Sequence, residues 1–155
     1  MTVTFNHTGV TVGDLDAAIH LFEDVFGFTV ISRAPRDPAI ISRVIGVPGV
    51  EVEIAYMRSG SGATVELLSY RAPDGVKTFL PRACDLGSLH LGFSVDDIDA
   101  ALDKAAGHGV EPMGAVVVID AGPNKGSRIA YLRNHEGLVL ELIQAPDNGA
   151  GRGQA

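Results

Sequence analysis

Hydrophobic and polar residues alternate at two places in the chain, and at both the alternation gives way to a helical period. Residues 4–12 are rich in Thr and Val and alternate as a strand with one exposed face does. Asp14 is then a candidate helix N-cap, and apolar residues follow on one helical stripe at Leu15, Ile19, Phe22 and Phe26. The same succession returns at residues 89–107, with a candidate cap at Asp96 or Asp97. The pattern predicts a strand followed by a helix in each half.

After each helix the pattern changes to short strands separated by turn signals. The predicted strands are 28–34, 50–58 and 63–70 in the first half, and 115–120, 128–133 and 138–144 in the second. Each half therefore reads β-α-β-β-β. Residues 34–49 fit a strand poorly and are predicted to form a long loop with a short helical turn, of the kind that often serves as a lid or binding loop.

The two halves are related by an internal repeat. "HTGVTVGDLDAA" at 7–18 returns as "HLGFSVDDIDAA" at 90–101. Two open halves can bury their apolar faces by pairing. We therefore expect an α+β fold in which two paired βαβββ modules form a cup-shaped, barrel-like mixed sheet with the helices outside. The expected single domain spans 1–145, with modules at about 4–70 and 88–144, a linker at 71–87 and a flexible tail at 146–155.

Composition excludes several classes of protein. A formal charge of −7 and a pI near 5.0 argue against nucleic-acid binding, which needs clustered Lys and Arg. No apolar run approaches the roughly 20 residues of a membrane helix, and the N-terminus lacks the features of a signal peptide. The single cysteine, Cys84, cannot form an internal disulfide and fits a reducing cytoplasm. We expect Cys84 to be a packing or loop residue.

Four polar residues interrupt otherwise apolar strands: His7, Glu66, His90 and Glu141. A carboxylate buried without a partner is costly, although any one of the four alone could be a solvated or otherwise satisfied position. The repeat favours a shared role, because each half contributes one His from its first strand and one Glu from its last. A divalent cation would compensate the carboxylate charge. Imidazole and carboxylate ligands suit Mn, Co, Ni, Zn or Fe and disfavour Ca.

Other candidates carry weaker signals. Glu53 alternates with Val52 and Ile54 and is a candidate second base on the same face, or equally a solvated strand carboxylate. Surface placement is expected for the three remaining histidines, His20, His108 and His135. Basic residues in the loops could hold an anionic substrate or only solubilise the surface; they are Arg43, Arg71, Lys77, Arg82, Lys125 and Arg128.

The chain resembles the vicinal oxygen chelate superfamily from residue 5 to about 145. The resemblance is carried by the paired modules, each starting "(N/L)H…V-x-D-(L/I)-D-A-A" and ending "(V/L)-E-L". This group includes glyoxalase I, methylmalonyl-CoA epimerase, ring-cleaving dioxygenases and drug-resistance proteins. The resemblance implies that one divalent metal is bound by His7, Glu66, His90 and Glu141. It also implies a small-molecule substrate, possibly anionic, and a homodimer with neither nucleic-acid nor membrane partners.

Among the family's activities, a full set of four ligands resembles the isomerases and lyases most. The implied reaction removes a proton next to a metal-chelated carbonyl of a 2-oxo or thioester substrate. Glu141 is the first candidate for ligand or base, with Glu66 or Glu53 opposite, and Arg71, Lys125 and Arg128 are the candidate substrate contacts. The alternatives are a non-heme Fe(II) ring-cleaving dioxygenase and a non-catalytic drug-binding or resistance protein. "SYRAPDG" after the Glu66 strand departs from the glutathione-binding pattern of glyoxalase I.

Overall fold

The computed structural model describes residues 1–146. The chain divides into two compact units, and the boundary along the sequence lies between Leu80 and Pro81. This boundary falls inside the segment expected to be a linker. The tail expected at 146–155 lies, apart from Pro146, outside the described residues.

The first unit is a four-stranded mixed sheet with two helices. Its elements are β1 (Thr8–Thr11), α1 (Leu15–Phe26), β2 (Thr29–Pro35), α2 (Pro38–Ile45), β3 (Glu51–Arg58) and β4 (Thr64–Ala72). The strand order is β1-β4-β3-β2, so the first and last strands of the unit are neighbours. They run parallel, whereas the other pairs are antiparallel.

The second unit repeats this topology. Its elements are β5 (Leu91–Ser94), α3 (Ile98–Gly107), β6 (Val110–Pro112), β7 (Val117–Val118), β8 (Arg128–Asn134) and β9 (Val139–Gln144). The order is β5-β9-β8-β6, with β7 also pairing with β8 and with β5 parallel to β9. The α+β class is therefore confirmed. Within residues 1–146 the strands form two separate mixed sheets rather than the one cup-shaped, barrel-like sheet that was expected, and no closed barrel is present.

The predicted caps explain where the helices begin. The Asp14 carboxylate accepts a hydrogen bond from the Ala17 amide at 2.9 Å, which satisfies an otherwise unpaired donor of the first turn. In the second unit Asp97, rather than Asp96, is the cap and accepts from the amides of Asp99 and Ala100. α1 ends at Gly27, whose φ of 65° is a left-handed conformation that glycine adopts without strain.

Each sheet buries one face under a helix of its own unit. In unit 1 this face carries Leu67 and Met57, which are fully buried like Phe22 of α1. In unit 2 the corresponding face carries Leu132, Leu140 and Leu142, and Ile98 of α3 is fully buried as well. Because strand side chains alternate between faces, the neighbours of these leucines point to the opposite face.

Two segments differ from their predictions. The loop expected at 34–49 contains a true helix, α2, which Asp37 caps and Gly46 ends in a left-handed conformation. Its Ile41 packs against a buried cluster of Val50, Val52 and Ile54, so tertiary packing stabilises an eight-residue helix where only a short helical turn was expected. Of the strand expected at 115–120, only Val117–Val118 forms a strand, β7. The additional strand β6 at Val110–Pro112 was not predicted, and it ends at Pro112, which has no amide hydrogen to donate.

Candidate metal centre

A histidine and a glutamate lie side by side in the first unit. His7 immediately precedes β1, and Glu66 lies in β4, opposite Gly9 in the parallel pairing. The imidazole Nε2 is 3.1 Å from the carboxylate Oε2. The glutamate side chain is only 13% exposed, whereas the histidine is 29% exposed. A carboxylate that is largely withdrawn from water therefore faces an accessible imidazole nitrogen.

The second unit repeats this pair. His90 immediately precedes β5, and Glu141 lies in β9 opposite Gly92. The imidazole Nε2 is 3.2 Å from the carboxylate Oε2, and the side chains are 44% and 17% exposed. Sequence reasoning placed both histidines inside their strands, but each lies one residue before its strand begins.

A tyrosine accompanies each pair, and sequence reasoning missed both. Tyr56 of β3 lies directly opposite Glu66, and Tyr131 of β8 lies directly opposite Glu141. The rings meet the neighbouring imidazoles edge to face, with centroids 5.6 Å apart at His7 and 5.0 Å apart at His90. The signal was available as a second internal repeat, "IAYM" at 54–57 and "IAYL" at 129–132.

The electrostatics of the two tyrosines reflect the neighbouring carboxylates. The Tyr56 hydroxyl hydrogen-bonds to Glu66, and this bond is the main reason that the pKa of Tyr56 is raised above its ordinary value. Burial is the main cause of the raised pKa of Tyr131, followed by the charge of Glu141 and a hydrogen bond to it. Both phenols therefore remain protonated donors at neutral pH.

A glycine lies beside each carboxylate. A Cβ atom built on Gly9 would lie 3.5 Å from Glu66 Oε2, and one built on Gly92 would lie 3.6 Å from Glu141 Oε2. Neither glycine has the positive φ that would demand glycine for backbone reasons. Their common property is the absence of a side chain beside the glutamate.

The donor atoms suit a divalent metal ion. His7 Nδ1 lies 2.7 Å from Asn6 Oδ1, an acceptor, so the imidazole donates its Nδ1–H there. In the neutral ring Nε2 then presents a lone pair to a carboxylate oxygen, and such a contact needs a proton or a cation to be favourable. Two ligands about 2.1 Å from one ion and at right angles to each other are about 3.0 Å apart, close to the separations in both pairs. Within residues 1–146 no three His, Cys, Asp or Glu side chains form a metal-binding group.

Glu53 does not lie with Glu66, so the expectation that they share a face is wrong. Tyr56 and Glu53 are three residues apart on a strand without an intervening bulge, and their side chains therefore point to opposite faces. The two oxygens of Glu53 accept hydrogen bonds from Arg33 at 2.9 Å and Arg71 at 2.8 Å. These guanidiniums, Arg33 first, lower the pKa of Glu53, which makes its carboxylate a weaker base.

The three predicted substrate contacts lie in different surroundings. Arg71 is 71% exposed and bonds to Glu53 through one nitrogen. Lys125 is exposed in the loop before β8. Arg128 hydrogen-bonds through both terminal nitrogens to Asp99 of α3, on the face opposite Glu141, and this bond is the main cause of the lowered pKa of Asp99. Arg128 thus links sheet to helix, which does not support a substrate contact.

Arg36 is a further cationic residue that sequence reasoning missed. Its guanidinium carbon lies 6.0 Å from the centroid of the Tyr56 ring, within the range of a cation–π interaction. Arg36 also lines a cavity of about 230 Å³ together with Arg71, Glu51 and Glu53. This cavity is the place where unit 1 brings the side chains of Arg36 and Arg71 to one surface.

The remaining predictions concern surface residues. His20 and His135 are 67% and 86% exposed, as expected, whereas His108 is half-buried at the end of α3. Cys84 is exposed. Among the described residues, none of the helices has the length and apolar character needed to cross a bilayer.

Comparison with known families identifies the class. Residues 6–131 match the model of the glyoxalase/bleomycin resistance protein/dioxygenase superfamily, and the chain belongs to this family. It is 36% identical over 150 residues to a 2-epi-5-epi-valiolone epimerase from an Actinomyces species, covering 93% of this chain and 80% of the relative. It is 29% identical to a probable lactoylglutathione lyase from Vibrio parahaemolyticus, covering 94% and 93%.

Solved structures agree with this assignment. A glyoxalase family protein from Bacillus cereus superposes with a TM-score of 0.81 at 29% identity, covering 94% of this chain and 96% of that one. The fosfomycin resistance protein FosX from Listeria monocytogenes, solved with Mn(II) and sulfate, gives 0.62 at 13% identity, covering 95% and 96%. The second similarity concerns the fold alone.

Proposed function

We propose that this protein is a divalent-metal-dependent epimerase or isomerase that removes a proton next to a carbonyl group. The His7–Glu66 and His90–Glu141 pairs supply the metal ligands. The observation that carries the proposal is the repeated pair itself, with nitrogen and oxygen 3.1 Å and 3.2 Å apart. Membership of a family whose relatives include an epimerase and a lactoylglutathione lyase supports it.

The chemistry divides between the ion and the side chains. When bound, a divalent ion supplies Lewis-acid stabilisation of the negative charge that develops on a carbonyl oxygen. Glu141 would accept the proton from the carbon next to the carbonyl. Epimerisation also needs a second group that returns a proton to the other face of that carbon, and Glu66 is the other carboxylate of the proposed ligand set. Proton transfer by a positioned side chain contributes on the order of 10²–10⁴ in rate. Return of the proton to the opposite face of the same carbon gives an epimer, whereas return to the neighbouring carbon gives an isomer.

The substrate class is a ketone with a neighbouring oxygen. The name of the Actinomyces relative describes epimerisation of valiolone, a ketone. Two adjacent oxygens can coordinate one ion together. Arg36, whose guanidinium lies over the ring of Tyr56 next to Glu66, is the donor in unit 1 for anionic or hydroxyl groups elsewhere on the substrate.

Solvent-deuterium exchange tests this proposal. The protein as isolated is first analysed for metals, and 2-epi-5-epi-valiolone is then incubated with it in D₂O. We expect a bound divalent metal and deuterium at the carbon next to the carbonyl, both lost after chelation and in His7→Ala. His20→Ala, an exposed histidine on α1, is the matched control and should retain both.

The glutamate is tested in the same way. Glu141→Gln should lower the exchange rate by at least about 100-fold, whereas Glu111→Gln, at an exposed position of β6, should not change it. Activity on lactoylglutathione, with no deuterium exchange into 2-epi-5-epi-valiolone, would indicate that this protein has the activity named for the Vibrio relative instead. Iron with O₂ consumption on a catechol would indicate a dioxygenase, and a metal-free protein that binds drugs would indicate a resistance protein. The dioxygenase and resistance-protein results would refute the proposal, whereas the lactoylglutathione result would refute only its epimerase form.

A further inference from the structure

Two of the three tyrosines in this chain lie opposite the two glutamates of the candidate metal centre. Tyr56 pairs with Glu66 across β3 and β4, and Tyr131 pairs with Glu141 across β8 and β9. Directly opposed residues of an antiparallel pair point to the same face with their side chains in contact range. The repeat therefore includes a phenol as well as a histidine and a glutamate.

In unit 1 the phenol touches both members of the pair. Its hydroxyl hydrogen-bonds to the Glu66 carboxylate, and its ring meets His7 at an interplanar angle of 90°. A carboxylate has two oxygens and about four acceptor sites, so a bond from Tyr56 leaves other lone pairs for a metal ion. The ring limits the rotation of the imidazole while the hydroxyl limits that of the carboxylate.

Unit 2 places a tyrosine, a histidine and a glutamate in a similar arrangement. The Tyr131 hydroxyl hydrogen-bonds to Glu141 and lies 3.4 Å from His90 Nε2. Its ring meets His90 at an interplanar angle of 62°.

We infer that Tyr56 and Tyr131 are positioning residues, each of which orients one His–Glu pair by donating its hydroxyl hydrogen to the carboxylate and packing its ring against the imidazole. The inference rests on the proposed metal centre. Partners that orient metal ligands typically contribute 10–100-fold to metal affinity.

Replacement by phenylalanine isolates the hydroxyl, because it retains the ring against the imidazole. Titration of Tyr56→Phe, Tyr131→Phe and the double variant with Mn²⁺ by calorimetry should show binding on the order of 10–100-fold weaker for each hydroxyl removed. Tyr70→Phe is the matched control: Tyr70 lies in the same strand as Glu66, roughly 13 Å further along, opposite Val52. It should bind Mn²⁺ as the wild type does.

Two further measurements separate positioning from a general structural effect. Circular dichroism in chelator should show all variants folded, with melting temperatures close to that of the wild type. The visible spectrum of Co²⁺ bound to Tyr56→Phe or Tyr131→Phe should differ from that of the wild type, because it reports the arrangement of the ligands.

The outcomes distinguish this inference from the proposed function. Wild-type protein that binds no Mn²⁺ refutes the metal centre and the inference with it. Mn²⁺ binding by wild type, lost in His7→Ala but unchanged in both phenylalanine variants, refutes only the inference. Equal weakening by Tyr70→Phe, or a lower kcat with unchanged Mn²⁺ affinity, also refutes it, since the hydroxyls would then act on general structure or on the substrate.

Discussion

Substitutions at Gly9 and Gly92 should have different effects on the stability of the metal-free protein and on its affinity for a metal ion. Both glycines lie in strands with ordinary backbone conformation, where glycine lowers stability by roughly 0.5–1 kcal/mol relative to alanine. A Cβ at these positions would be 3.5–3.6 Å from a glutamate oxygen, an ordinary contact that needs no displacement. Gly9→Ala and Gly92→Ala should therefore raise the melting temperature of the metal-free protein by roughly 1–4 °C and leave Mn²⁺ binding close to that of the wild type.

A larger side chain at Gly9 should have opposite effects on the two properties. Valine favours strands, but two of the three staggered positions around its Cβ carry methyl groups. At Gly9 the Cβ already has two neighbours, Glu66 Oε2 at 3.5 Å and Leu68 Cδ1 at 3.6 Å. We expect Gly9→Val to displace the carboxylate and to weaken Mn²⁺ binding on the order of 10–100-fold. Gly92→Val should weaken it less, because at Gly92 the Cβ has only Glu141 Oε2 within 4 Å.

The assay combines thermal unfolding in chelator with calorimetric titration of Mn²⁺. Thr11→Val is the control, since Thr11 lies on the same strand and face as Gly9, two residues further on and opposite Leu68. Mn²⁺ binding by Gly9→Val equal to that of the wild type would show that the glycine does not make room for the carboxylate. A lower melting temperature for both alanine variants would refute the assignment of their conformation.

Two other predictions concern pH and metal removal. Because the guanidiniums of Arg33 and Arg71 lower the pKa of Glu53 below its usual 4.5, its charge stabilises the folded state above that pH and the contribution is lost as pH falls through the lowered value. The difference in urea midpoint between wild type and Glu53→Gln should therefore be largest near pH 7 and shrink below about pH 4; a difference independent of pH would contradict this. Addition of Mn²⁺ at 100 times its dissociation constant should stabilise the wild type by about 2.7 kcal/mol, or roughly 5–11 °C in melting temperature. An unchanged melting temperature, with His7→Ala as the reference, would show that no such site exists.

The sequence predicted the topology of each unit well because the pattern of apolar residues and the repeat are local features. Asp14 and Asp97 cap helices where the period indicated, and β4 and β9 carry their glutamates as expected. α2 was predicted only as a short helical turn, because its full length depends on Ile41 packing against distant β3.

The face of Glu53 was misjudged for a different physical reason. Ile54 and Ala55 are both buried because that strand is covered on both faces, so alternation of polar and apolar residues no longer reports which face a side chain occupies. The tyrosines were missed because a single Tyr in an apolar strand resembles core packing, and only alignment of "IAYM" with "IAYL" distinguishes it. The choice of Asp97 over Asp96 depended on a shift of one residue that local pattern does not specify.

The parallel pairing of first and last strands has a consequence for how the protein matures. His7 and Glu66 are 59 residues apart in the chain, and His90 and Glu141 are 51 apart. Each pair therefore forms only after nearly the whole unit has been synthesised and its most distant contact has closed, which is the slow kind of event in folding. A chain interrupted before β9 would keep the His7–Glu66 pair but lack Glu141, and one interrupted before β4 would hold neither pair. Metal uptake would therefore report that the first and last strands of each unit have met.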